Sequence, residues 1–512
     1  MSKIKTALIS VSNKEGIVQF AKGLQKLGVK IISTGGTYSK LRNSGVKAIP
    51  IEEVTGFPEM LEGRVKTLHP KIHAGILAKR NKKHLSELKK QGIEGIDLIV
   101  VNLYPFKETL EKTSSLEKII EEIDIGGPTL IRAAAKNYEN AAVVVDYTNY
   151  NYILNEIKKG RGSLNKKVRE GLAVKAFQHV AEYDAIISGF FNKRFIEGFP
   201  EKLVLSFDKL MDLRYGENPH QKASLYKESL ADASSTVNAV QLHGKELSFN
   251  NLFDLNAAVE LVKEFPEPTA VIIKHGNPCG VASGKTLHQA FTKALECDAE
   301  SAFGGIIALN RKIDDATAKE ITSFFNEVVI APSFEEKALK LLKEKKNLRI
   351  MKLDLNKKEK NEIEFKKIDG GLLVQEKDEK ELKERELKFV SEKKPSEKEL
   401  QDILFAFKVV KHVKSNAIVI AKEKATIGIG VGQTSRVRAV DLALKQAGIK
   451  SEGAVLASDG FFPFRDSIDL AAGAGITAVI EPGGSIKDKE VIEEANEKGI
   501  ALIFSGARGF KH

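Results

Sequence analysis

Four small or β-branched apolar residues, Ala270-Val271-Ile272-Ile273, run directly into Lys274-His275 and then into Gly276-Asn277-Pro278-Cys279-Gly280. The run reads as a buried strand, and the glycines and the proline stop it and turn the chain. A strand end holds both side chains on a rigid element at the mouth of a sheet, where α/β enzymes keep their sites. Histidine exchanges a proton near neutral pH. An adjacent ammonium group opposes a second positive charge and can face a developing oxyanion. Taken alone, the stretch reads first as a strand followed by a solvated turn, so the rest of the chain has to decide.

The same grammar recurs along the sequence. Thr6-Ala7-Leu8-Ile9-Ser10-Val11 is a strand, Ser12-Asn13-Lys14 turns the chain, and a helix over 16–27 carries Ile17, Phe20, Ala21 and Leu24 at helical spacing. Lys30-Ile31-Ile32-Ser33 ends in Thr34-Gly35-Gly36-Thr37, where backbone N–H groups and the helix behind them can receive an anion. Two hydroxyl-bearing strand ends in adjacent βα units can cradle one phosphate. Asp97–Val101 ends in Asn102 and Tyr104, and Ala141–Val145 ends in Asp146. Asp124 lies just before Gly126-Gly127 and Lys136 twelve residues beyond it; a capping role for Asp124 is as good a reading as a functional one.

Gly63-Arg64-Val65-Lys66-Thr67-Leu68-His69-Pro70-Lys71-Ile72-His73 is crowded with cations and donors. His69 and His73 have metal-pair spacing, but Pro70 lies between them and no zinc-protease glutamate accompanies them. A phosphate-binding or charge-stabilising loop suits Arg64, Lys66 and Thr67 better. A helix is expected over 166–191, with a boundary at Gly198-Phe199-Pro200, so the domains fall at 1–199 and 200–512. In the second, a glycine-led strand is expected over 301–310, and the lysine- and glutamate-rich residues 334–400 read as peripheral helices and a connection. Alternate glycines in Gly428-Ile429-Gly430 have the wrong spacing for a dinucleotide fingerprint and mean close backbone approach. Ala270–Ile273 and Ile418–Ile420 suggest two related α/β halves.

Composition excludes several classes. The net charge of +11 comes largely from lysines scattered among glutamates, there is no tryptophan, and no aromatic-interleaved basic patch appears, so nucleic acid is not an expected partner. The only two cysteines, Cys279 and Cys297, give no disulfide framework and point to a reducing compartment. No signal peptide and no membrane-length apolar run are present, and a cytoplasmic protein is expected.

Ten stretches in this order resemble one family along essentially the whole length: SVSNKEG, STGGT, GFPEMLEGRVKTLHPKIHAGIL, NLYPF, IDIGGPTLIRAAAKN, LRYGENPHQ, KHGNPCG, GIGVGQTSR, DGFFPFRD and the C-terminal arginine. The family joins phosphoribosyl-aminoimidazole-carboxamide (AICAR) formyltransferase to inosine monophosphate (IMP) cyclohydrolase. The resemblance implies an α/β chain, with an N-terminal methylglyoxal-synthase-like domain and a C-terminal pair of cytidine-deaminase-like subdomains. It implies an intertwined homodimer, 10-formyltetrahydrofolate as formyl donor, AICAR, formyl-AICAR and IMP as ligands, and no catalytic metal.

The resemblance also assigns roles. AICAR's 5-amino group is a poor nucleophile, so a neutral base and a cation for the tetrahedral intermediate are needed; His275 and Lys274 suit these. Asn416 stands beside them as an orienting amide. Arg214, Tyr215, Phe303, Gly304, Glu327, Arg436, Phe461 and Arg508 match nucleotide-contact positions, and Val437, Ser485 and Ile486 match folate-contact positions. For ring closure the resemblance places Asp124 and Lys136 for proton transfer, with Lys66 and Tyr104 on the oxyanion. Ser12, Asn13, Lys14, Thr34, Gly35, Gly36, Thr37, Arg64, Thr67, Val101, Asn102 and Ile125 match the nucleotide cradle. Other members carry aspartate at Glu327, and animal members carry Lys-His-Val-Ser-Pro where this chain has Lys-His-Gly-Asn-Pro, so contacts after His275 are expected to differ. A zinc deaminase is disfavoured because Pro278-Cys279 lacks the second thiolate of that class. A ligand sensor is disfavoured by catalytic-type residues in both halves.

Overall fold

The computed structural model describes residues 3–229, 231–355 and 362–512. The chain divides into two compact units, Met1–Asp208 with Glu228–Leu230, and Lys209–Lys227 with Ala231–His512. The first unit therefore extends past the Gly198-Phe199-Pro200 turn.

In the first unit, β1 (Thr6–Val11), β2 (Lys30–Ser33), β3 (Ala48–Pro50), β4 (Leu98–Asn102) and β5 (Ala142–Val144) form a wholly parallel sheet in the order β3-β2-β1-β4-β5. Alternate strand residues feed two cores. Ala7, Ile9 and Val11 pack with Phe20, Leu24 and Ile153 on one face. Leu8, Ile99 and Val101 pack with Ile76, Leu130 and Ile131 on the other. The order reverses at β1, so the ends of β1 and β4 flank a crevice at the carboxyl edge, the usual ligand position in such sheets. The helix expected over 166–191 runs over Lys166–Phe195.

The second unit opens with a ribbon of β6 (Phe207–Leu213) and β7 (Ala223–Glu228). Its main sheet has twelve strands: β8 (Val240–His243), β9 (Thr269–Lys274), β10 (Asn277–Ser283), β11 (Ile306–Leu309), β12 (Val328–Ala331), β13 (Arg349–Lys352), β16 (Lys388–Phe389), β17 (Ile418–Lys422), β18 (Ala425–Gly430), β19 (Val455–Ser458), β20 (Ala478–Glu481) and β21 (Ala501–Phe504). A separate ribbon pairs β14 (Ile363–Ile368) with β15 (Gly371–Glu376).

The sheet order β16-β21-β20-β19-β17-β18-β10-β9-β11-β12-β13-β8 is two copies of one pattern meeting at β10 and β18. In each copy a hairpin (β9–β10, β17–β18) pairs antiparallel with the next strand, which begins a parallel run of three. Each copy is entered by a helix of 14 residues started by a serine capping box: Phe249–Val262 after Ser248, and Glu397–Val410 after Ser396. Two related halves, suggested by two apolar runs, are therefore visible as repeated topology.

Two local expectations differ from what the chain forms. Within 334–400 the chain contributes β13 to the sheet interior, because Ile350 and Met351 form a short apolar run between charged flanks. It also forms the β14–β15 ribbon rather than only peripheral helices. The strand expected over 301–310 is confined to Ile306–Leu309, because Asp298 caps a helical turn over Ala299–Ala302. The alternate glycines behave as read: a Cβ on Gly428 or Gly430 would lie 2.1 or 2.0 Å from a carbonyl of the Arg436–Ala447 helix, so only glycine lets that helix lie on β18.

Candidate active sites

In the first unit the β1 turn is tied to the end of β4. Asn102 Oδ1 accepts from Ser12 N at 2.6 Å and Asn13 N at 3.0 Å, and its Nδ2 donates to Asn13 O at 2.9 Å. Thr37 Oγ1 accepts from Val11 N at 3.1 Å and donates to Val11 O at 2.9 Å. Thr34 Oγ1 shares a 2.7 Å hydrogen bond with Ser10 Oγ. Thr37 and Asn102 thus hold the two strand ends in register, and the Gly35–Asn43 helix presents its N-terminus there. Val101 is buried, whereas Ile125 is exposed.

Cations surround this crevice. Lys14 Nζ donates to Ser12 O at 3.1 Å, beside Gly36. Lys66 Nζ lies 4.0 Å from Glu59 Oε1 and close to Gly35 and Gly63. Arg64 pairs with Glu121 at the surface, and buried Thr67 lies against Gly126. Asp124 Oδ1 accepts from Gly127 N at 2.7 Å. Burial pushes the Asp124 carboxyl up, against the downward pull of the Gly127 N–H and the Lys66 ammonium. Tyr104, partly exposed, adjoins it through a backbone hydrogen bond.

Lys66, Tyr104 and Asp124 are therefore brought together, and Lys136 is not. Lys136 closes the helix Gly126–Lys136, so it lies about 15 Å along the axis from Gly126, at the helix's other end. Two residues not foreseen complete the arrangement. Glu59 faces Lys66, and Tyr183 OH accepts from Asp124 N and donates to Glu122 O, both at 2.8 Å. Tyr183 sits on the Lys166–Phe195 helix, remote in sequence, and no local pattern marks it.

In the second unit, Lys274 is the last residue of β9, and His275-Gly276 are the two-residue loop to β10. The strand end read from sequence is thus the end of an antiparallel hairpin arm, with the turn following it at once. Both loop residues have positive φ, 53° and 72°, as a type I′ hairpin requires. Lys274 Nζ donates to Phe303 O at 2.8 Å. Asn277 Nδ2 donates to His275 O at 3.1 Å, and its Oδ1 accepts from Lys414 N at 3.0 Å. Lys274, His275, Asn277 and Cys279 line a cavity of about 320 Å³ with Asp298, Ile429 and Val431. Burial pushes the Cys279 and Cys297 thiols up to about 12, so both are inert.

Asn416 is locked on the loop that the Lys414–Asn277 bond joins to this turn. Its Nδ2 donates to Gln433 O at 2.8 Å and its Oδ1 accepts from Arg436 Nη2 at 2.7 Å. Arg436, matched by resemblance to a nucleotide contact, is buried; its Nη1 and Nη2 bond Asp459, Ala417 O and Asn416, while its Nε has no hydrogen-bond partner among the described residues. Glu327 is likewise paired, with buried Arg349. Phe303 and Phe461 are exposed at 57% and 42%, which leaves ring faces for stacking. Gly304 turns the chain after Phe303. Arg214 lies over Tyr215, and Arg508 over Phe510. Val437 is half-buried on the Arg436–Ala447 helix, and Ser485 and Ile486 sit on an exposed turn. None of Arg214, Tyr215, Arg508, Val437, Ser485 and Ile486 lines the cavity. A larger cavity of about 510 Å³ in the first unit, walled by Leu110, Ile119, Ile186 and Phe190, contains none of the candidate residues.

A parallel sheet with a crevice at its carboxyl edge, followed by a duplicated sheet with a Lys-His turn, defines a two-part α/β protein. The MGS-like domain model matches residues 16–129, and the AICARFT/IMPCHase bienzyme model matches residues 134–446. The chain is 54% identical to the bifunctional purine biosynthesis protein PurH of Acetivibrio thermocellus, over 99% of this chain and 100% of that one. It is 54% identical to the same-named protein of a Thermoanaerobacter species and 51% identical to that of Oceanobacillus iheyensis, at the same coverage. The chain belongs to the AICARFT/IMPCHase bienzyme family, and is a purine-biosynthesis enzyme with formyltransferase and IMP cyclohydrolase activities.

Proposed function

We propose that the two activities are carried by separate constellations, one in each unit. In the second, His275 takes the proton from the 5-amino group of AICAR as it attacks the formyl carbon of 10-formyltetrahydrofolate. Lys274 stabilises the oxyanion of the tetrahedral intermediate and Asn416 orients the reactants. The observation that carries this reading is the joint exposure to one cavity of Lys274, at the end of β9, and His275, in the turn that follows it. In the first unit, the β1 and β2 turns hold the nucleotide phosphate, Asp124 moves the proton as the carboxamide nitrogen attacks the formyl carbon, and Lys66 and Tyr104 stabilise the oxyanion. The convergence of Lys66 on half-buried Asp124 supports this.

The working form is a homodimer. Support comes from apolar side chains left exposed, Phe195, Ile196 and Phe199 in the first unit and Leu210, Met211 and Tyr226 in the second. A second copy also gives Lys136, Arg214 and Arg508 a site to serve. Two free, buried thiols fit a cytoplasmic location. Among the described residues no helix is long and apolar enough to cross a membrane.

The test is incubation with AICAR and 10-formyltetrahydrofolate, following formyl-AICAR and IMP separately. Both should appear, the first before the second. Cyclisation of supplied formyl-AICAR with no formyl transfer would overturn the assignment of the second unit.

A further inference from the structure

The Lys274-His275 turn has a counterpart that identifies what holds it. Asp254 Oδ2 accepts from His275 N at 3.0 Å, and Oδ1 accepts from Gly276 N at 2.7 Å. In the other half, Asp402 Oδ2 accepts from Glu423 N at 2.9 Å, and Oδ1 accepts from Lys424 N at 2.7 Å. Each aspartate is the sixth residue of its capped helix, and its partners lie 21 and 22 residues further on. Each clamped pair is the two-residue loop of a hairpin, and all four residues have φ between 53° and 72°.

The counterpart shows what the clamp can do. Glu423 and Lys424 are both non-glycine residues in the left-handed region, which costs each about 1–2 kcal/mol. A carboxylate receiving two N–H groups side by side is a charge-assisted, bidentate grip. The turns differ in what they present. Glu423 is occupied by Lys293 and Lys398, at 3.3 and 3.2 Å. His275 instead faces the cavity beside Lys274. One clamp serves a turn tied down by ion pairs, and the other a turn facing open space.

We infer that Asp254 is a positioning residue for formyl transfer: its carboxylate grips the His275 and Gly276 N–H groups and fixes the direction in which the His275 imidazole projects. This rests on the role of His275 given above. Asp254 touches no reactant. It acts from a helix, a more rigid support than the loop itself. Gly276 also fits this account, since a Cβ there would lie 2.8 Å from Phe253 Cε1, on the same helix.

The repeat supplies its own control. Asp254→Asn keeps shape and one acceptor but turns an NH2 group toward the second N–H. Asp402→Asn does the same where no chemistry is placed. In the full-length protein, Asp254→Asn should lower kcat for formyl transfer roughly 100-fold, the effect of a misplacement of about 1 Å, with KM for AICAR within about threefold. Asp402→Asn should leave kcat within about twofold while lowering Tm as much as Asp254→Asn does. Cyclisation of formyl-AICAR should be unchanged in both. If Asp254→Asn does not fold, Asp254→Glu, which keeps the charge and pushes the acceptor outward, should lower kcat more than about tenfold relative to Asp402→Glu. An inactive His275→Ala with Asp254 variants no slower than their Asp402 counterparts overturns this inference alone. A fully active His275→Ala overturns the role of His275, and this inference with it.

Discussion

The two candidate sites are built by opposite devices. The first unit's crevice lies at the carboxyl edge of a parallel sheet, where β1 and β4 part, and much of its surface is backbone: the Ser12–Lys14 turn, the Gly35-Gly36 pair and a helix N-terminus. The second unit's site is a hairpin end that presents Lys274 from the last position of β9 and His275 from a strained loop. A parallel edge offers N–H groups that suit a phosphate. A clamped turn offers a base and a cation at fixed spacing. In the roles proposed above, the first arrangement binds and adds chemistry from Asp124 and Lys66, and the second places chemistry and takes its binding groups from elsewhere.

The sharpest break of that comparison is His275→Ala. It should lower formyl transfer by about three orders of magnitude, within the range for loss of a general base, and leave cyclisation of formyl-AICAR within twofold. Parallel assays on one preparation check this, and equal loss of both activities would mean one shared site. In the other direction, Asp124→Asn should lower cyclisation roughly 100-fold and spare formyl transfer. Tyr183→Phe removes both hydrogen bonds that hold the Asp124 loop while keeping the ring packed on Phe106. It should slow cyclisation about tenfold, a positioning effect smaller than removal of the carboxylate.

The smallest effect is on stability alone. Glu481, at the end of β20, is fully buried; its Oε2 accepts from Phe462 N, and burial pushes its carboxyl up to about 8. The folded chain therefore holds this proton more tightly than the unfolded chain does. Stability should fall as pH rises from about 4.5 to about 8 and show no further loss from this group above that. Glu481→Gln keeps an acceptor for Phe462 and should flatten this part of the slope. Thermal unfolding across that window measures it, and an unchanged slope in the variant would assign the pH dependence to other groups.

The contrast also explains what could be read from sequence. Strands buried on both faces announce themselves as apolar runs, so the parallel β1, β2 and β4 and the antiparallel but central β9 were legible. Lys66, Lys274 and His275 lie in short polar segments beside such runs or glycines, and Asp124 just before a glycine pair, and these positions made them candidates. β13 was hidden because two apolar residues sit among lysines. Asp254, Glu59 and Tyr183 were hidden because each acts across space, on a partner in another element. Asp254 alone left a trace. A capping serine, an aspartate at the sixth helical position and a hairpin 21 residues later occur twice, and aligning the halves would have exposed it. Lys136 shows the converse: a position matched by resemblance lies at the far end of its own helix.

The seam between β10 and β18 governs the order of assembly. Each hairpin closes over two residues, whereas the Val281–Thr426 bond at the seam joins residues 145 apart in sequence. Short closures come early and distant ones late, so each half can form before the two meet. Until then the chain carries two bare strand edges of matching pattern, Asn277–Ser283 and Ala425–Gly430. Open edges of that kind pair with whatever strand arrives first. At high concentration that strand belongs to another chain, and the same seam that completes one molecule then links two.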